Sequence, residues 1–575
     1  MEAPPSISSL SRPITPPCKA SRNNAVAPTP AGDITTKGRE HVAAHEASQA
    51  RLIRSPFQLT RIQDLSATNN VDTLTLEDIL GDPLIKECWQ FNYLFDLDFV
   101  MQAFDEDVRD LVSVNVVHGF WKTEDGQRRR MVEAANRFRN IKLITAYMPE
   151  PFGTHHSKMM VLIRHDDCAQ IVIHTANMIH FDWTNMTQAV WRSPALPLLS
   201  TAVGRASSTS HSLGLGSGKR FKDDLLAYLR AYGHAKTGLL TDELKRYDFS
   251  AIRGALVASV PARQNTNKSD PTKRLWGWMA LKDIVNSIPV RADTDDLRPQ
   301  IVVQVSSIAT LGQTDQWLRN ILFDALEGRS APRFAPGIVD PGNKPKFHMI
   351  FPTADEIRRS LNGYLSGSAI HTKIKTPAQA KQIAYLKPML RHWAGDGGQH
   401  ENEKKTTFQG TVGEAGRKRA APHIKTYIRF TDSSMKKIDW AMMTSANLST
   451  QAWGTSPNAS GEVRVSSWEI GVIVWPGLWG GNDHRNSPTT EVETATMVPV
   501  FRTDTLVNDN QAMANDTGIP VIGLRMAYDL PLVSYHKDDM PWCATSSYNQ
   551  PDWMGQTHNS SSNGYGDGEA STQAA

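Results

Sequence analysis

One pattern of residues occurs twice in this chain, and the repeat restricts the folds that the chain can adopt. A histidine, any residue, a lysine, an apolar run and an Ala-Asn pair follow each other at 156–177 and again at 423–447. The lysine precedes the asparagine by 19 residues in the first copy and by 22 in the second. An internal repeat of this kind predicts two units of the same plan. Its polar members are His156, Lys158, Asn177, His423, Lys425 and Asn447.

Strand and helix patterns alternate around both copies, which predicts an α/β fold. In the first copy, Lys158–Ile163 and Ile171–His174 are short apolar runs joined by a polar turn, as expected for paired buried strands. In the second copy, Ile424–Phe430 alternates between apolar and polar residues, as a strand does, and Trp440–Met443 is a further short apolar run. We therefore expect two similar α-β-α sandwich domains related by a pseudo-two-fold axis, with an active site at their interface.

The length of 575 residues exceeds what one hydrophobic core usually supports. Composition places a Pro-, Ser- and Ala-rich disordered tail at 1–70 and a Ser-, Asn- and Gly-rich disordered tail at 546–575. Between them we expect an N-terminal domain at 71–255 and a C-terminal domain at 256–545. The polar segments at about 200–219 and 395–420 are expected to be surface insertions.

The bulk composition excludes some classes of protein. With 62 Lys and Arg against 59 Asp and Glu, the net charge is only +3, so nucleic-acid binding would require a local basic groove. The four cysteines are widely spaced and predict neither a disulfide framework nor a zinc site. We find no secretory signal and no apolar run of about 18 residues, and we expect no membrane association.

The His-x-Lys pattern has a direct chemical reading. Alternate side chains of a strand point to the same face, so the imidazole and the ammonium emerge together. A lysine can neutralise a phosphate oxygen, while a histidine can attack phosphorus or carry the proton of the leaving group. Two such half-sites facing each other supply a nucleophile, a general acid and amide donors from the asparagines, without a metal or another cofactor.

The wider motifs resemble the phospholipase D superfamily, and more closely its tyrosyl-DNA phosphodiesterase family. The aspartate that the superfamily places five residues after the lysine is replaced here by Ile163 and Phe430, as in that family. The resemblance covers roughly residues 75 to 545. It rests on the strings FGTHHSKMM at 152–160, HTAN at 174–177, PHIKTY at 422–427, TSANLS at 444–449 and AWG at 452–454.

The resemblance implies a role for each residue of the repeat. His156 would be the nucleophile that forms a phosphohistidine with the DNA 3′ end, and His423 would be the general acid and then the general base. Lys158, Lys425, Asn177 and Asn447 would bind the phosphate oxygens. Gln188 and Glu469 match positions that orient the two histidines, and each is expected to serve the histidine of the opposite half.

The same resemblance implies the substrate, which is single-stranded or frayed DNA that carries a 3′-tyrosyl or another 3′ adduct. The tyrosine would belong to a peptide derived from a trapped type IB topoisomerase. Phe152 lies where the family stacks a base, and Tyr93 lies on the peptide side. Ser306, Ser307 and Ser449 match positions that contact the DNA backbone, while Thr450 stands where relatives tend to carry a lysine.

The function expected from these residues is a metal-independent DNA-repair phosphodiesterase that acts in the nucleus as a monomer. One alternative is another phosphodiesterase of the phospholipase D superfamily, either a nuclease or a lipase. A second alternative is a nucleic-acid-binding scaffold without activity, against which the intact His156, Lys158, His423 and Lys425 argue.

Overall fold

A computed structural model describes residues 52–199, 214–267, 274–290, 298–328, 344–394, 413–480, 495–506 and 519–559. These residues contain two large mixed sheets, one built around each copy of the repeat, and two smaller sheets. Alternating apolar residues bury both faces of the first large sheet, as the sequence pattern predicts.

The first large sheet has the strand order β2-β8-β7-β6-β3-β4-β5, with β9 paired to β7. Strand β6 follows the first His-x-Lys motif directly, and β7 leads into Ala176-Asn177. The strands are β2 (Gln58–Leu59), β3 (Ile85–Phe91), β4 (Ser113–His118), β5 (Ile141–Thr145), β6 (Met159–Arg164), β7 (Cys168–His174), β8 (Ala189–Arg192) and β9 (Leu196–Pro197).

The second large sheet has the strand order β10-β18-β16-β15-β12-β13-β14. Strand β15 follows the second His-x-Lys motif directly, and β16 leads into Ala446-Asn447. The strands are β10 (Ala255–Ser259), β12 (Gln300–Gln304), β13 (Lys346–Ile350), β14 (Leu390–Arg391), β15 (Thr426–Phe430), β16 (Ile438–Thr444) and β18 (Glu469–Val474).

The two large sheets have equivalent strand orders. Strands β8, β7, β6, β3, β4 and β5 of the first sheet correspond in sequence to β18, β16, β15, β12, β13 and β14 of the second. In both sheets the central pairs are antiparallel and the outer three strands are parallel. The expected pair of similar α/β sandwiches is therefore confirmed.

Smaller elements complete the described fold. Strands β1 (Leu52–Ile53), β19 (Thr496–Val500) and β20 (Val521–Arg525) form one parallel sheet, while β11 (Ala262–Asn265) pairs with β17 (Glu462–Val465). The α-helices are Glu77–Leu80, Leu97–Gln102, Gly126–Ala135, His180–Thr184, Gly218–Ala231, His234–Leu244, Trp278–Ser287, Asp324–Glu327, Ala354–Arg358, Pro377–Leu386 and Thr450–Trp453. Leu318–Phe323 is a π-helix, and Ala67–Asn69, Gly363–Ala369, Lys387–Met389 and Pro476–Trp479 are 3-10 helices.

One hydrophobic cluster runs through both large sheets. It includes Trp89 and Ile171 on the first sheet, and Ile301 and Tyr427 on the second. A second cluster, with Val114 and the opposite face of the first sheet, packs under the helix Leu97–Gln102. Because side chains of both halves share the larger cluster, burial of apolar surface stabilises their mutual orientation as well as each sheet.

The structure corrects the expected limits of the two tails. Residues 52–70 contribute β1, which pairs with β20, and β2, which pairs with β8. At the other end, Tyr548 stacks on Tyr364, with ring centroids 5.9 Å apart. Both segments are held by partners far away in the sequence, which local composition cannot reveal. The expected boundary at 255/256 stays a prediction, and residues 1–51 and 560–575 lie outside the described residues.

The structure also bears on the helix expected at 316–326, on the two expected insertions and on membrane-spanning helices. Gln316–Leu326 has the periodicity of an ordinary helix, but part of it, Leu318–Phe323, forms a π-helix. The expected insertions at 200–219 and 395–420 fall largely outside the described residues, although Gly218 already begins a helix. Among the described helices, none has the length and hydropathy needed to cross a bilayer.

Candidate active site

The two His-x-Lys motifs lie at the ends of equivalent strands, immediately before β6 and β15. Lys158 and Lys425 are fully buried, and each ammonium donates to the backbone carbonyl of the histidine two residues earlier. The shared contact shows that both motifs have the same local conformation. Each motif therefore presents its imidazole and its ammonium to one space, as the strand periodicity predicts.

Backbone hydrogen bonds join each motif to the opposite half of the chain. The amide of His156 donates to the carbonyl of Trp468 at 3.0 Å, and the amide of His423 donates to the carbonyl of Thr187 at 3.1 Å. Trp468 precedes Glu469, and Thr187 precedes Gln188. The two halves thus exchange equivalent contacts. These contacts place Glu469, at the start of β18, beside His156, and Gln188, directly before β8, beside His423.

Glu469 orients His156. Its Oε2 lies 3.0 Å from Nδ1 of the imidazole and also accepts the hydroxyl proton of Ser445. A carboxylate at Nδ1 favours the tautomer that carries its proton there, which leaves the lone pair of Nε2 free to attack. Burial raises the pKa of Glu469, but His156, Ser445 and Lys158 outweigh it and hold that pKa below its ordinary value. Glu469 is therefore a carboxylate at neutral pH.

His423 has two partners from the first half. Gln188 lies with its amide nitrogen 3.0 Å from Nδ1, and Asp182 lies with Oδ2 3.2 Å from the same nitrogen. The expected pairing of Gln188 and Glu469 with the histidines of opposite halves is present in the structure. Asp182 was not predicted from the sequence. Its position five residues after Asn177, in a polar stretch next to a motif, is the signal that could have identified it.

Asp182 belongs to the short helix His180–Thr184 and is buried. Its Oδ2 accepts the backbone amide of Asn177 at 2.6 Å, so the same carboxylate fixes the Ala-Asn turn and faces His423. Burial raises the pKa of Asp182 to about 6, while Lys425 and Lys158 act in the opposite direction. The two histidines therefore face carboxyl groups of different proton affinity, an arrangement that separates the roles of a nucleophile and an acid-base residue.

Both imidazoles are neutral in the free site at pH 7. Burial lowers the pKa of His156 to about 4, although Glu469 raises it in part. Burial, with the nearby Lys425 and Lys158, lowers the pKa of His423 well below its ordinary value. A neutral His156 suits a nucleophile. For His423 to act as an acid, a bound anion must raise its pKa.

The two lysines reinforce this dependence on an anion. Burial lowers the pKa of Lys158 to about 8. Burial and repulsion from Lys158 lower the pKa of Lys425 well below its ordinary value. Glu469 and Asp182 oppose both shifts, but only in part. A phosphodiester placed between the lysines would add negative charge and favour the protonated form of both.

The asparagines of the repeat are held by equivalent contacts. The indole of Trp183 donates to the carbonyl of Asn177 at 3.0 Å, and the indole of Trp453 donates to that of Asn447 at 3.1 Å. The side-chain oxygen of Asn447 also accepts the amides of Ser306 and Ser307, at 3.1 and 3.0 Å. Because this oxygen is occupied, Asn447 is oriented to offer its NH₂ group as a donor.

Of the remaining predicted residues, Tyr93 and Ser306 contact residues of this centre. Tyr93 lies with its ring centroid 5.9 Å from that of His156. Phe152 is 65% exposed and has φ of 62°, so its ring is accessible for the expected stacking on a base. The hydroxyl of Ser306 donates to Asn447, and that of Ser449 caps the helix Thr450–Trp453. Both serines therefore have structural contacts in addition to the predicted role at the DNA backbone.

A close approach between the halves is visible at Gly153. A Cβ at this position would overlap the carbonyl of Ser466. The first motif can therefore reach Trp468 and Glu469 only if the chain before it carries no side chain at this point. Across the residues that the structure describes, no group of three or more His, Cys, Asp and Glu side chains is placed to hold a metal ion.

The chain is similar to known proteins in sequence and in fold. Residues 56–536 match the family model described as tyrosyl-DNA phosphodiesterase. The chain is 31% identical to a probable tyrosyl-DNA phosphodiesterase of Schizosaccharomyces pombe, over 91% of this chain and 99% of the relative. It is 28% identical to tyrosyl-DNA phosphodiesterase 1 of Drosophila melanogaster, over 84% and 72% of the two chains. The crystal structure of the yeast tyrosyl-DNA phosphodiesterase H432N_Glu mutant has a similar fold, with a TM-score of 0.58 at 19% identity, covering 85% of this chain and 98% of that one.

Proposed function

The chain belongs to the tyrosyl-DNA phosphodiesterase family, and on that premise we propose that it hydrolyses the bond between a DNA 3′-phosphate and a tyrosine. The observation that carries the proposal is the pairing of each histidine with an acidic residue of the opposite half. Glu469 serves His156, and Asp182 with Gln188 serves His423. This pairing equips one imidazole as a nucleophile and the other as an acid and base for a single phosphate.

In the first step, Nε2 of His156 attacks phosphorus and the bond to the tyrosine oxygen breaks. His423, in its protonated form, gives its proton to the departing phenolate. Phosphorus is then bound to Nε2, and Glu469 stabilises the positive charge on the imidazole through Nδ1–H. Lys158, Lys425 and the two asparagines balance the charge on the non-bridging oxygens.

In the second step, a water molecule attacks phosphorus and the bond to Nε2 of His156 breaks. His423, now neutral, accepts the proton of the water, so the site returns to its initial protonation state. The product is a DNA 3′-phosphate. Both steps use the same two histidines and the same phosphate-binding donors, so the chemistry that we propose needs no metal ion.

We propose trapped type IB topoisomerase, degraded to a peptide on a single-stranded or frayed 3′ end, as the physiological source of the substrate. Other 3′ adducts fit the same scheme, because attack at phosphorus requires only that the leaving group accept a proton. The proposed site of action is the nucleus, where such adducts arise. The proposed active form is a monomer, because both half-sites come from one chain.

The direct test is hydrolysis of a 3′-phosphotyrosyl oligonucleotide in the presence of EDTA, followed by gel electrophoresis. The wild-type protein should release a 3′-phosphate, and His156→Ala should abolish release. His423→Asn should slow the second step and leave a covalent protein–DNA species that denaturing gels retain. His165→Ala is a matched control, since this exposed histidine lies at the far end of β6.

Two outcomes would contradict the proposal. Near-normal turnover by both His156→Ala and His423→Asn would remove the assigned roles. Cleavage of phosphatidylcholine, or of unmodified internal DNA linkages, in preference to the tyrosyl bond would favour another activity of the phospholipase D superfamily.

A further inference from the structure

Arg417 lies inside the fold, although its side chain is charged. It is 1% exposed, and its Nε, Nη1 and Nη2 atoms have no hydrogen-bond partner among the described residues. Burial lowers the pKa of Arg417 to about 9, so the guanidinium keeps its charge at pH 7. A buried charge is costly in free energy unless it is paired and hydrogen-bonded. The N–H groups of Arg417 therefore need acceptors that the surrounding side chains do not supply.

A second buried arginine lies nearby. Arg525, the last residue of β20, donates through Nη1 to Oδ1 of Asp504 and to the carbonyl of Val71, both at 3.2 Å. Its Nε and Nη2 have no partner in the described part of the chain. The charge of Arg525 acts on the pKa of Arg417, so the two guanidiniums lie close to each other. Together they leave five nitrogens without an acceptor.

The acids near these arginines balance only one of the two positive charges. Asp504 is 1% exposed and is the carboxylate whose charge opposes the fall in the pKa of Arg417. Asp72 accepts the backbone amide of Asp504, but its other oxygen pairs with Arg54. Two guanidiniums that share one carboxylate leave an excess positive charge in the interior.

The unpaired donors also outnumber the unpaired acceptors. Oδ2 of Asp504 and Oδ1 of Asn69 are the buried oxygens of this region that lack a hydrogen bond within the described ranges. Asn69 is close to Arg417 along the chain surface, because a Cβ at Gly416 would lie 2.3 Å from Oδ1 of Asn69. Five nitrogens therefore face two oxygens, and these side chains cannot satisfy one another.

Water does not correct this imbalance, since each molecule brings two donors and no charge. An oxyanion brings acceptors and negative charge, and pairs of its oxygens match the planar fork of a guanidinium. Because both arginines are buried, the ligand has to be small. We propose that Arg417 and Arg525 form a structural binding site for a small tetrahedral oxyanion such as inorganic phosphate.

The proposed site holds the segment that leads to His423. Arg417 stands six residues before His423, and its carbonyl accepts the amide of Ala420 at 3.0 Å. The carbonyl of Ala420 in turn accepts the hydroxyl proton of Thr187 at 2.8 Å, across the two halves. An oxyanion bound by both arginines would fasten this segment to β20. The site is separate from the catalytic lysines, so its existence does not depend on the proposed reaction.

The test measures thermal unfolding of the full chain at pH 7 in increasing inorganic phosphate, with chloride keeping the ionic strength constant. All proteins carry Lys425→Met, which removes a phosphate-binding lysine of the catalytic site. The melting temperature should rise by about 2 °C when phosphate exceeds its Kd 100-fold. Sulfate should act in the same direction, because it has the same shape and charge distribution, whereas chloride should not.

Adding Arg417→Met should abolish the response to phosphate. In chloride alone this variant should melt at the same or a higher temperature than its parent, because an apolar side chain of similar length replaces an unpaired buried charge. The matched control adds Lys436→Met, which removes the same charge at an exposed position and should leave the response unchanged. A parent protein that does not respond to phosphate, or an unchanged response after Arg417→Met, overturns the site.

A binding measurement decides the question if Arg417→Met does not fold. Equilibrium dialysis with radiolabelled phosphate should show about one bound ion per chain of the Lys425→Met protein. Arg417→Lys keeps the charge but lacks the planar fork, so it should weaken this binding at least tenfold. Absence of binding to the parent, or equal binding by the Arg417→Lys variant, contradicts the proposal.

Discussion

Nδ1 of His156 lies 3.0 Å from Oε2 of Glu469, although 313 residues separate them in the sequence. The contact crosses from one half of the chain to the other and has a counterpart in the pairing of His423 with Asp182 and Gln188. Neither half can therefore prepare its own histidine. The repeat produces a catalytic centre only when both copies are folded and packed together.

Glu469→Gln should lower kcat on a 3′-phosphotyrosyl oligonucleotide by on the order of 10²-fold, because the charge on the phosphohistidine loses its counter-ion. The glutamine can still accept from Nδ1–H, so substrate binding should change little. Rapid-quench kinetics with a tyrosyl substrate would measure the first step. Glu462→Gln serves as a control at a partly exposed strand end, and equal effects of the two variants would contradict the role of Glu469.

The pH dependence of kcat/KM follows from the pKa of His156. Because that pKa is about 4 in the free protein, the nucleophile is neutral above this value and becomes protonated as the pH falls through it. Activity should therefore fall in two stages as the pH is lowered, first near pH 6 as Asp182 becomes protonated and then near pH 4 as His156 does. Glu469 raises the pKa of His156, so Glu469→Gln should move the fall in kcat/KM near pH 4 to still lower pH. A limb that moves upward in the variant would refute the assignment.

Asp182→Asn should impair proton transfer by His423 more than it impairs binding. We expect kcat to fall roughly tenfold or more on a tyrosyl substrate, whose leaving group needs a proton. A 3′-(4-nitrophenyl) phosphate has a better leaving group and should be much less affected in the first step. Equal losses on the two substrates would mean that Asp182 supports the fold rather than the acid. The control Asp166→Asn changes a carboxylate in the β6–β7 turn, away from the site.

Asn447→Ala should lower kcat by on the order of 10²-fold, because the variant loses an oriented donor to the phosphate oxygens. The Oδ1 contacts to Ser306 and Ser307 are also lost, so some loss of stability is expected. The conservative variant Asn447→Asp keeps an acceptor for these amides but lacks the donor. If Asn447→Asp retained wild-type kcat, the donor role would be wrong.

Phe152→Ala should weaken binding of single-stranded DNA with little effect on stability. The ring is mostly exposed, so its removal costs few internal contacts, whereas a base–aromatic stack contributes roughly 1–3 kcal/mol. We expect KM for an oligonucleotide to rise roughly tenfold while kcat stays within a factor of two. Unchanged KM, measured next to a thermal melt, would exclude stacking on Phe152.

Much of the fold could be predicted from local patterns. The apolar run Met159–Ile163 and the alternation of Ile424–Phe430 predict the strands that follow the two motifs, because both patterns differ from the 3.6-residue period of a helix. The sequence also predicts Gln188 and Glu469, through their likeness to positions of a known family. Asp182 escaped prediction because its role depends on His423, which lies 241 positions away in the sequence. The ordered parts of both termini escaped it for the same reason, since β1 pairs with β20.

The sequence by itself determined that this chain has two equivalent half-sites with a histidine, a lysine and an asparagine each. Those identities and spacings follow from covalent order, and side-chain alternation directs each pair to one face. Only the tertiary structure decided which carboxylate meets which imidazole, and how far burial shifts the pKa of each. Proximity and desolvation arise when the two halves pack, so they are properties of the folded interface and not of either motif.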